Sequence, residues 1–591
     1  MRNRLVLMGM LSGWVWSFSA GAADLRFPPP GWKDQPSPLA SPHAYRGGNM
    51  NIYAGQYPKS FNYYLDNNVF SGDLFGYLYE NLINLNPLTM EYEPGLASSW
   101  TISEDKLTYT FTLDKAAVWS DGQPVTADDV AFTYETLLNP ANLTGPHKVA
   151  LEKFNPPEVL DERTIRFTAT EVHWRNLSAV GGMQILPKHA MAGQDFNRIN
   201  FEFPVVSGPY RIDEIQEGIL VRLARREDWW AGKRASAEGV LNFDTLTFRF
   251  FAEQENAFEA FRKGLLDVFP VYMSRIWMNE TSGERFAKNW IVKQKVYNAN
   301  PIGFQGFAMN LRRPPFDDLR VRQALAHLLN REKLNETLMY NQYFLHKSYY
   351  EDLYDEAHPC ANPEYGFDKD KARKLLAEAG WEVNPKTGLL EKDGQALTIR
   401  FLTRDPSTDK FLAVYAEDLK DVGISLTIDR KDWAAWMKDM GEFNFDMTWA
   451  AWGSGLFKDP ESMWHSKEAE RRNGNNATGF QDAEVDQLIE KQKSIFDIKE
   501  RNAILREIDA ILTREVPYIL LWNIDYTRLL YWNKFGTPDT VLSKYGDERS
   551  AYGLWWYDED QAADLEAAMA EERGLPPKPV VVRFDEEFPA R

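Results

Sequence analysis

The chain has 591 residues, of which 44% are hydrophobic and 26% charged, and its formal net charge is −19. That length exceeds one compact core, the composition is that of a globular protein, and the acidic balance excludes nucleic acid or an anionic membrane surface as the main partner. The single cysteine, Cys360, excludes an internal disulfide, and the twenty tryptophans point equally to large cores and to an aromatic-lined site.

At the N-terminus, Arg2 and Arg4 precede an apolar run, Leu5–Phe18, which is too short to span a bilayer easily. Ala20-Gly21-Ala22 then offers a small-residue cleavage site, so residues 1–22 read as a signal peptide. No cysteine stands at that site, so no lipid anchor is expected, and the mature protein is expected in a periplasm. Residues 25–48, rich in Pro and Gly, read as an extended arm before a first strand near 50–54. Leu107, Tyr109, Phe111 and Leu113 alternate with three threonines, the pattern of a half-buried strand.

Asp128 and Asp129 then stand side by side behind Thr126. Thr126 is placed to cap a helix, with an acid at its third position and both acids in the first turn, where the helix dipole favours negative charge. Val130, Tyr134, Leu137 and Leu138 follow as its apolar face. The two aspartates therefore read as a helix start rather than an acid/base pair or metal claw. Further on, Asp368 can cap a helix carrying Ala372, Leu375, Leu376 and Ala379, which Gly380 ends. Leu397, Ile399 and Phe401 alternate; Phe411, Tyr415, Leu419 and Val422 recur at helical spacing; Ile424, Leu426 and Ile428 alternate again. This succession is an α/β unit. Residues 446–450 read as a strand, 560–573 as a short helix.

No enzyme motif stands out. No two of the eight histidines are three to five residues apart, and no G-x-S-x-G elbow or phosphate loop occurs. No catalytic residue, metal or cofactor is expected, and a periplasmic hydrolase or peptidase is disfavoured.

Five ordered segments carry a resemblance. They are 93–135 ("EPGLASSWTISEDKLTYTFTLDKAAVWSDGQPVTADDVAFTYE"), 207–233, 257–268, 309–333 ("MNLRRPPFDDLRVRQALAHLLNREK") and 368–381. Together they resemble the family 5 extracellular solute-binding proteins, the peptide and nickel receptors of ABC importers. The segments "FDTLTFRFFAEQENAFEAFRKG" and "DYTRLLYWNKFG" are most similar to its Yej-type oligopeptide-binding branch. The resemblance implies an α/β, two-lobed periplasmic binding protein of the Venus-flytrap, cluster C type. It implies three domains: a discontinuous domain I (23–75, 205–306 and 533–591), domain II (76–204) and domain III (307–532). The expected function is to capture oligopeptides and deliver them to the membrane permease and its ATPases, acting as a monomer. A muropeptide or other peptide conjugate is the alternative ligand.

The best candidate wall is 445–460, "FDMTWAAWGSGLFKDP". Trp449 and Trp452 could pack on ligand, Gly453 and Gly455 could let ligand backbone approach closely, and Ser454 between them is counted with the site. In peptide-binding relatives an Asp a few residues after the matching Trp holds the ligand's amino terminus. Here Gly455 or Leu456 stands there, and the acid comes later, at Asp459. Family position adds Asn67, Asn68 and Val69, as amide partners in a loop, and Trp522 and Asn523 after an apolar run. Arg404 could bind a ligand carboxylate.

Overall fold

The computed structural model describes residues 24–66 and 68–588. The expected signal peptide and Asn67 lie outside the described residues. No helix among the described residues is long and apolar enough to cross a membrane. The chain divides into two compact units.

The first unit comprises 24–33, 79–84 and 92–198 of the described chain. Its antiparallel sheet runs in the order Leu25–Phe27, Ala97–Ile102, Thr108–Leu113, Thr164–Thr168, Glu158–Asp161. The start of the expected arm is thus a strand. Phe27 lies opposite Trp100 and stacks on it at 5.5 Å, and this cross-strand aromatic pair outweighs the Pro-rich sequence that follows. Tyr109, Phe111 and Leu113 are buried as the alternation requires.

The helix Ala127–Leu138 begins at Thr126, as expected, and buries Val130, Tyr134 and Leu137. Its two aspartates have separate fates. Asp128 is exposed and pairs with the Lys188 ammonium at 3.1 Å, an arrangement that contributes under about 1 kcal/mol. Asp129 is 4% exposed. One of its oxygens accepts from the Thr126 backbone N–H at 2.8 Å, the Thr126 hydroxyl at 3.1 Å and the Trp119 indole at 3.3 Å. The other accepts from the Lys188 backbone N–H at 2.8 Å. The helix-start carboxylate therefore also ties a preceding loop and a distant helix together.

The second unit holds two larger sheets. Eight strands run in the order Val581–Arg583, Ile291–Tyr297, Tyr526–Trp532, Val268–Pro270, Asn49–Tyr53, Thr245–Arg249, Leu220–Arg225, Tyr210–Gln216. Five run in the order Ser425–Arg430, Thr398–Thr403, Met447–Trp452, Phe304–Met309, Tyr518–Leu520. Helices Leu319–His327, Lys369–Glu378 and Asp409–Lys420 bury Leu325, Leu376 and Leu412 in one core with Phe307 and Phe401. Asp368 caps its helix by accepting the N–H groups of Asp370 and Lys371, at 3.0 and 2.9 Å. Gly380 follows that helix at φ +87°, a conformation that favours glycine.

Candidate ligand-binding site

The central strand of the five-stranded sheet, Met447–Trp452, has one closed edge and one partly open edge. It pairs with Phe304–Met309 along its whole length, Phe304 opposite Trp452 and Met309 opposite Met447. On the other side its parallel pairing with Thr398–Thr403 stops at Leu402 opposite Thr448. Backbone bonds from Asn310 N–H to the Asp446 carbonyl and from Leu521 N–H to the Gln305 carbonyl fix which residues face which way. By alternation Ala450 and Trp452 bond to Phe304–Met309, and exposed Ala451 turns its N–H and C=O to the open side.

Beside this edge lies a cavity of about 780 Å³, whose wall includes Trp449 to Trp452. A second side comes from the helix Trp433–Gly441, which Asp432 caps through the Ala435 N–H at 2.9 Å. Trp433, Trp436, Met437 and Met440 recur at i, i+3, i+4 and i+7, one helical face, and all line the cavity. The rings of Trp433 and Trp436 stack at 5.5 Å, and the Arg404 guanidinium lies 4.2 Å from the first centroid and 5.2 Å from the second. Trp433 is 54% exposed. An exposed cation-capped aromatic platform offers flat apolar area and one positive charge to a ligand.

A third side is fixed by Gln305. Its carbonyl accepts from the Trp449 indole at 2.9 Å and its amide donates to the Trp522 carbonyl at 2.8 Å. Phe411 packs against both rings, at 5.6 Å from Trp449 and 5.4 Å from Trp522. Asn473 and Asn475 add amide groups, and Tyr272, Arg275 and Tyr343 close the rim. The wall carries three basic residues, Arg275, Arg404 and Lys410, against one acid, Asp405, although the chain as a whole is strongly acidic. It contains no histidine, cysteine or glutamate, so this wall offers no metal-ligand set.

Of the residues expected from sequence, the cavity brings together Arg404, Trp449, Trp452 and Trp522. Two of these are already engaged by neighbouring side chains. Trp522 is only 3% exposed, because Phe411 and Trp449 cover it, so it supports the wall. Arg404 sits over two indole faces, so its guanidinium plane is already stacked. Trp452 bonds its indole to the Tyr518 hydroxyl at 3.1 Å.

The others stand outside the cavity wall. Asn68 accepts from the Phe70 N–H at 2.9 Å ahead of the helix Val69–Leu78, the local turn role that asparagine favours. Val69 opens that helix and is exposed. Asn523 donates to the Gly303 carbonyl at 2.8 Å. Asp459 accepts from the Glu461 N–H at 3.1 Å, a turn contact. The Gly455 carbonyl accepts from Lys458, whose ammonium also pairs with Asp352, and Ser454 lies in the same loop. Around Gly453 the protein leaves open space, since an added Cβ meets nothing within 4 Å, whereas a Cβ on the neighbouring Gly303 would stand 2.1 Å from the Trp452 carbonyl. Sequence reasoning missed the Trp433–Met440 face, though its helical spacing was legible.

Residues 91–474 match the family described as "Bacterial extracellular solute-binding proteins, family 5 Middle". The chain is 29% identical over 496 residues to the "Probable peptide-binding protein YejA" of Agrobacterium fabrum, covering 76% of this chain and 80% of that protein. It is 26% identical over 530 residues to the "Peptidoglycan-binding protein YepA" of the same organism, covering 81% and 84%. Its fold is similar to that of the oligopeptide-binding protein AppA from Bacillus subtilis in complex with a nonapeptide, with a TM-score of 0.70, 23% identity, and coverage of 87% of this chain and all of that one. The match over most of the chain, on an α/β framework that carries a preformed cavity, places the protein among the bacterial extracellular solute-binding proteins of family 5.

Proposed function

We propose that this chain is the periplasmic substrate-binding component of an ABC importer, and that its cavity takes an extended oligopeptide for delivery to the permease. The observation that carries this reading is the open backbone edge at Ala451 beside a roomy, amide- and aromatic-lined cavity. Every peptide shares backbone N–H and C=O groups, so an open edge recognises peptides without regard to sequence, as in strand addition. The space left over accepts different side chains with water filling the remainder. The importer's ATPases supply the energy, and this chain binds without turnover.

A muropeptide is the second reading. It is favoured by the exposed Trp433–Trp436 platform, since an indole face packs well against the flat apolar face of a sugar ring. Mass spectrometry of what co-purifies with the protein separates the two. A peptide alone supports the first reading, a peptide bearing amino sugar supports the second, and recovery of only a metal chelate overturns both.

The platform gives its own prediction. Trp433→Ala and Arg404→Ala are each expected to weaken ligand binding about fivefold, the value of about 1 kcal/mol of cation–aromatic or stacking contact with the ligand. Both side chains are exposed, so the unliganded protein should unfold within about 0.5 kcal/mol of the parent. Calorimetric titration with the recovered ligand and denaturant unfolding check the two halves.

A further inference from the structure

Behind the Tyr272–Tyr343 rim of the cavity lies a cluster of cations. Lys293 and Lys295 are two apart on the strand Ile291–Tyr297, and Arg528 lies directly opposite Lys295 on the strand Tyr526–Trp532. The three side chains therefore share one face of the sheet. Arg528 is 1% exposed.

Among the described residues, none of the three forms an ion pair; their partners are neutral. Lys293 donates to the Trp277 carbonyl at 2.8 Å and the Thr281 hydroxyl at 2.6 Å. Lys295 donates to the Gln342 side-chain carbonyl at 3.2 Å. Arg528 donates to the Tyr272 carbonyl at 3.4 Å and the Tyr343 hydroxyl at 3.2 Å and lies over the rings of Tyr343 and Tyr526, at 4.9 and 5.6 Å, and its Nε and Nη2 have no hydrogen-bond partner. Burial, and then the neighbouring Lys295 charge, hold the Lys293 ammonium below its usual range.

A buried guanidinium with two open donors is costly unless something anionic completes it. No carboxylate among the described residues does so: Glu548 bonds to the hydroxyl of Tyr272 rather than to Arg528. The two wall residues in contact with Arg528 are joined to each other only by the Tyr343 hydroxyl donating to the Tyr272 carbonyl at 3.4 Å, the long end of hydrogen-bond range, although each is also bonded elsewhere, Tyr272 to Glu548 and Tyr343 to Asn335. We infer that Arg528, with Lys295 and Lys293 beside it, is an anion subsite of the cavity that takes a ligand carboxylate admitted between Tyr272 and Tyr343. The planar guanidinium presents two parallel N–H donors to such a group, and the lysines add charge without competing for its geometry. This rests on the reading that the cavity takes peptides, and it supplies an anchor at the acidic end of the ligand.

The test offers the full-length protein a tryptic peptide digest and the same digest after methyl esterification, and reads bound peptides by mass spectrometry. The parent is expected to retain free-acid peptides at least tenfold over esters. Arg528→Met, and Lys295→Met should the first variant fail to fold, are expected to bring that ratio close to one. Equal retention of both digests by the parent overturns the subsite and leaves the peptide reading standing. If the parent retains neither digest, the peptide reading falls, and the subsite is judged on succinate alone. A rise in Tm in succinate over sodium chloride of equal ionic strength, lost in the variant, then supports the subsite; no rise overturns it.

Discussion

Asp129→Ala is expected to lower the stability of the first unit by about 3–5 kcal/mol, although the residue touches no candidate ligand. Its carboxylate is buried and accepts from two backbone N–H groups, a hydroxyl and an indole. Truncation leaves the Thr126 and Lys188 N–H groups and the Trp119 indole in a place that water reaches poorly. Each orphaned donor costs about 1–3 kcal/mol, and charge-assisted bonds lie at the upper end. Asp128→Ala is the internal control. That side chain is exposed and paired only with an exposed lysine, so its loss should cost under about 1 kcal/mol. Guanidinium unfolding followed by tryptophan fluorescence compares the two variants. Equal, small losses would mean that the Asp129 contacts are replaced by solvent and that the helix start is merely decorative.

Glu548→Gln should do the opposite and stabilise the second unit, by about 3 kcal/mol at pH 8. Burial, then the adjacent Asp547 charge, push the Glu548 carboxyl up from 4.5 to about 7. A carboxyl whose folded pKa is raised carries no penalty below its unfolded pKa, where it is protonated in both states. The penalty grows between about pH 4.5 and pH 7 and is complete above that. Glutamine removes the charge and keeps an oxygen to accept the Tyr272 hydroxyl, which donates to Glu548 at 2.8 Å. Arg549 keeps its ion pairs with Asp547 and Asp73 and loses only the weaker attraction of Glu548. The gain should therefore be present at pH 8 and vanish at pH 4. A variant whose advantage is the same at both pH values would refute the raised pKa. Asp73, pushed up to about 6 mainly by burial, makes the parent itself gain stability on mild acidification in the same direction.

Local pattern alone placed many of the elements. Thr126 and Asp368 announced helix starts, and Gly380 announced an end, because caps act within four residues of chain. Tyr109, Phe111 and Leu113 announced a strand with one buried face, because alternation maps directly onto burial. The family was legible by resemblance, in five ordered segments that include the helix starts at Thr126 and Asp368. The strand Leu25–Phe27 was not legible. Its formation depends on Trp100, some seventy positions away, and no local rule weighs such a partner.

The candidate site divides along that line. Sequence named Trp449 and Trp452 from the candidate wall, and Arg404 and Trp522 from family position, among the residues around the cavity. It did not see that Arg404 is stacked on the Trp433–Trp436 platform, or that Trp522 is covered by Phe411. Both facts are set by the packing of separate elements. Nor could it see the Arg528 cluster, whose three cations come from two strands separated by more than two hundred residues of chain.

By itself, then, the sequence determined the helix caps and the alternating strands, which are written in short-range spacing, and its resemblance to known proteins carried the family. Only the tertiary structure decided which strand edge stays open, which tryptophans face a cavity, and which cations are left without a counter-charge. Those outcomes depend on long-range pairing and burial, and the cost of an unpaired buried charge appears only when all its neighbours are in place.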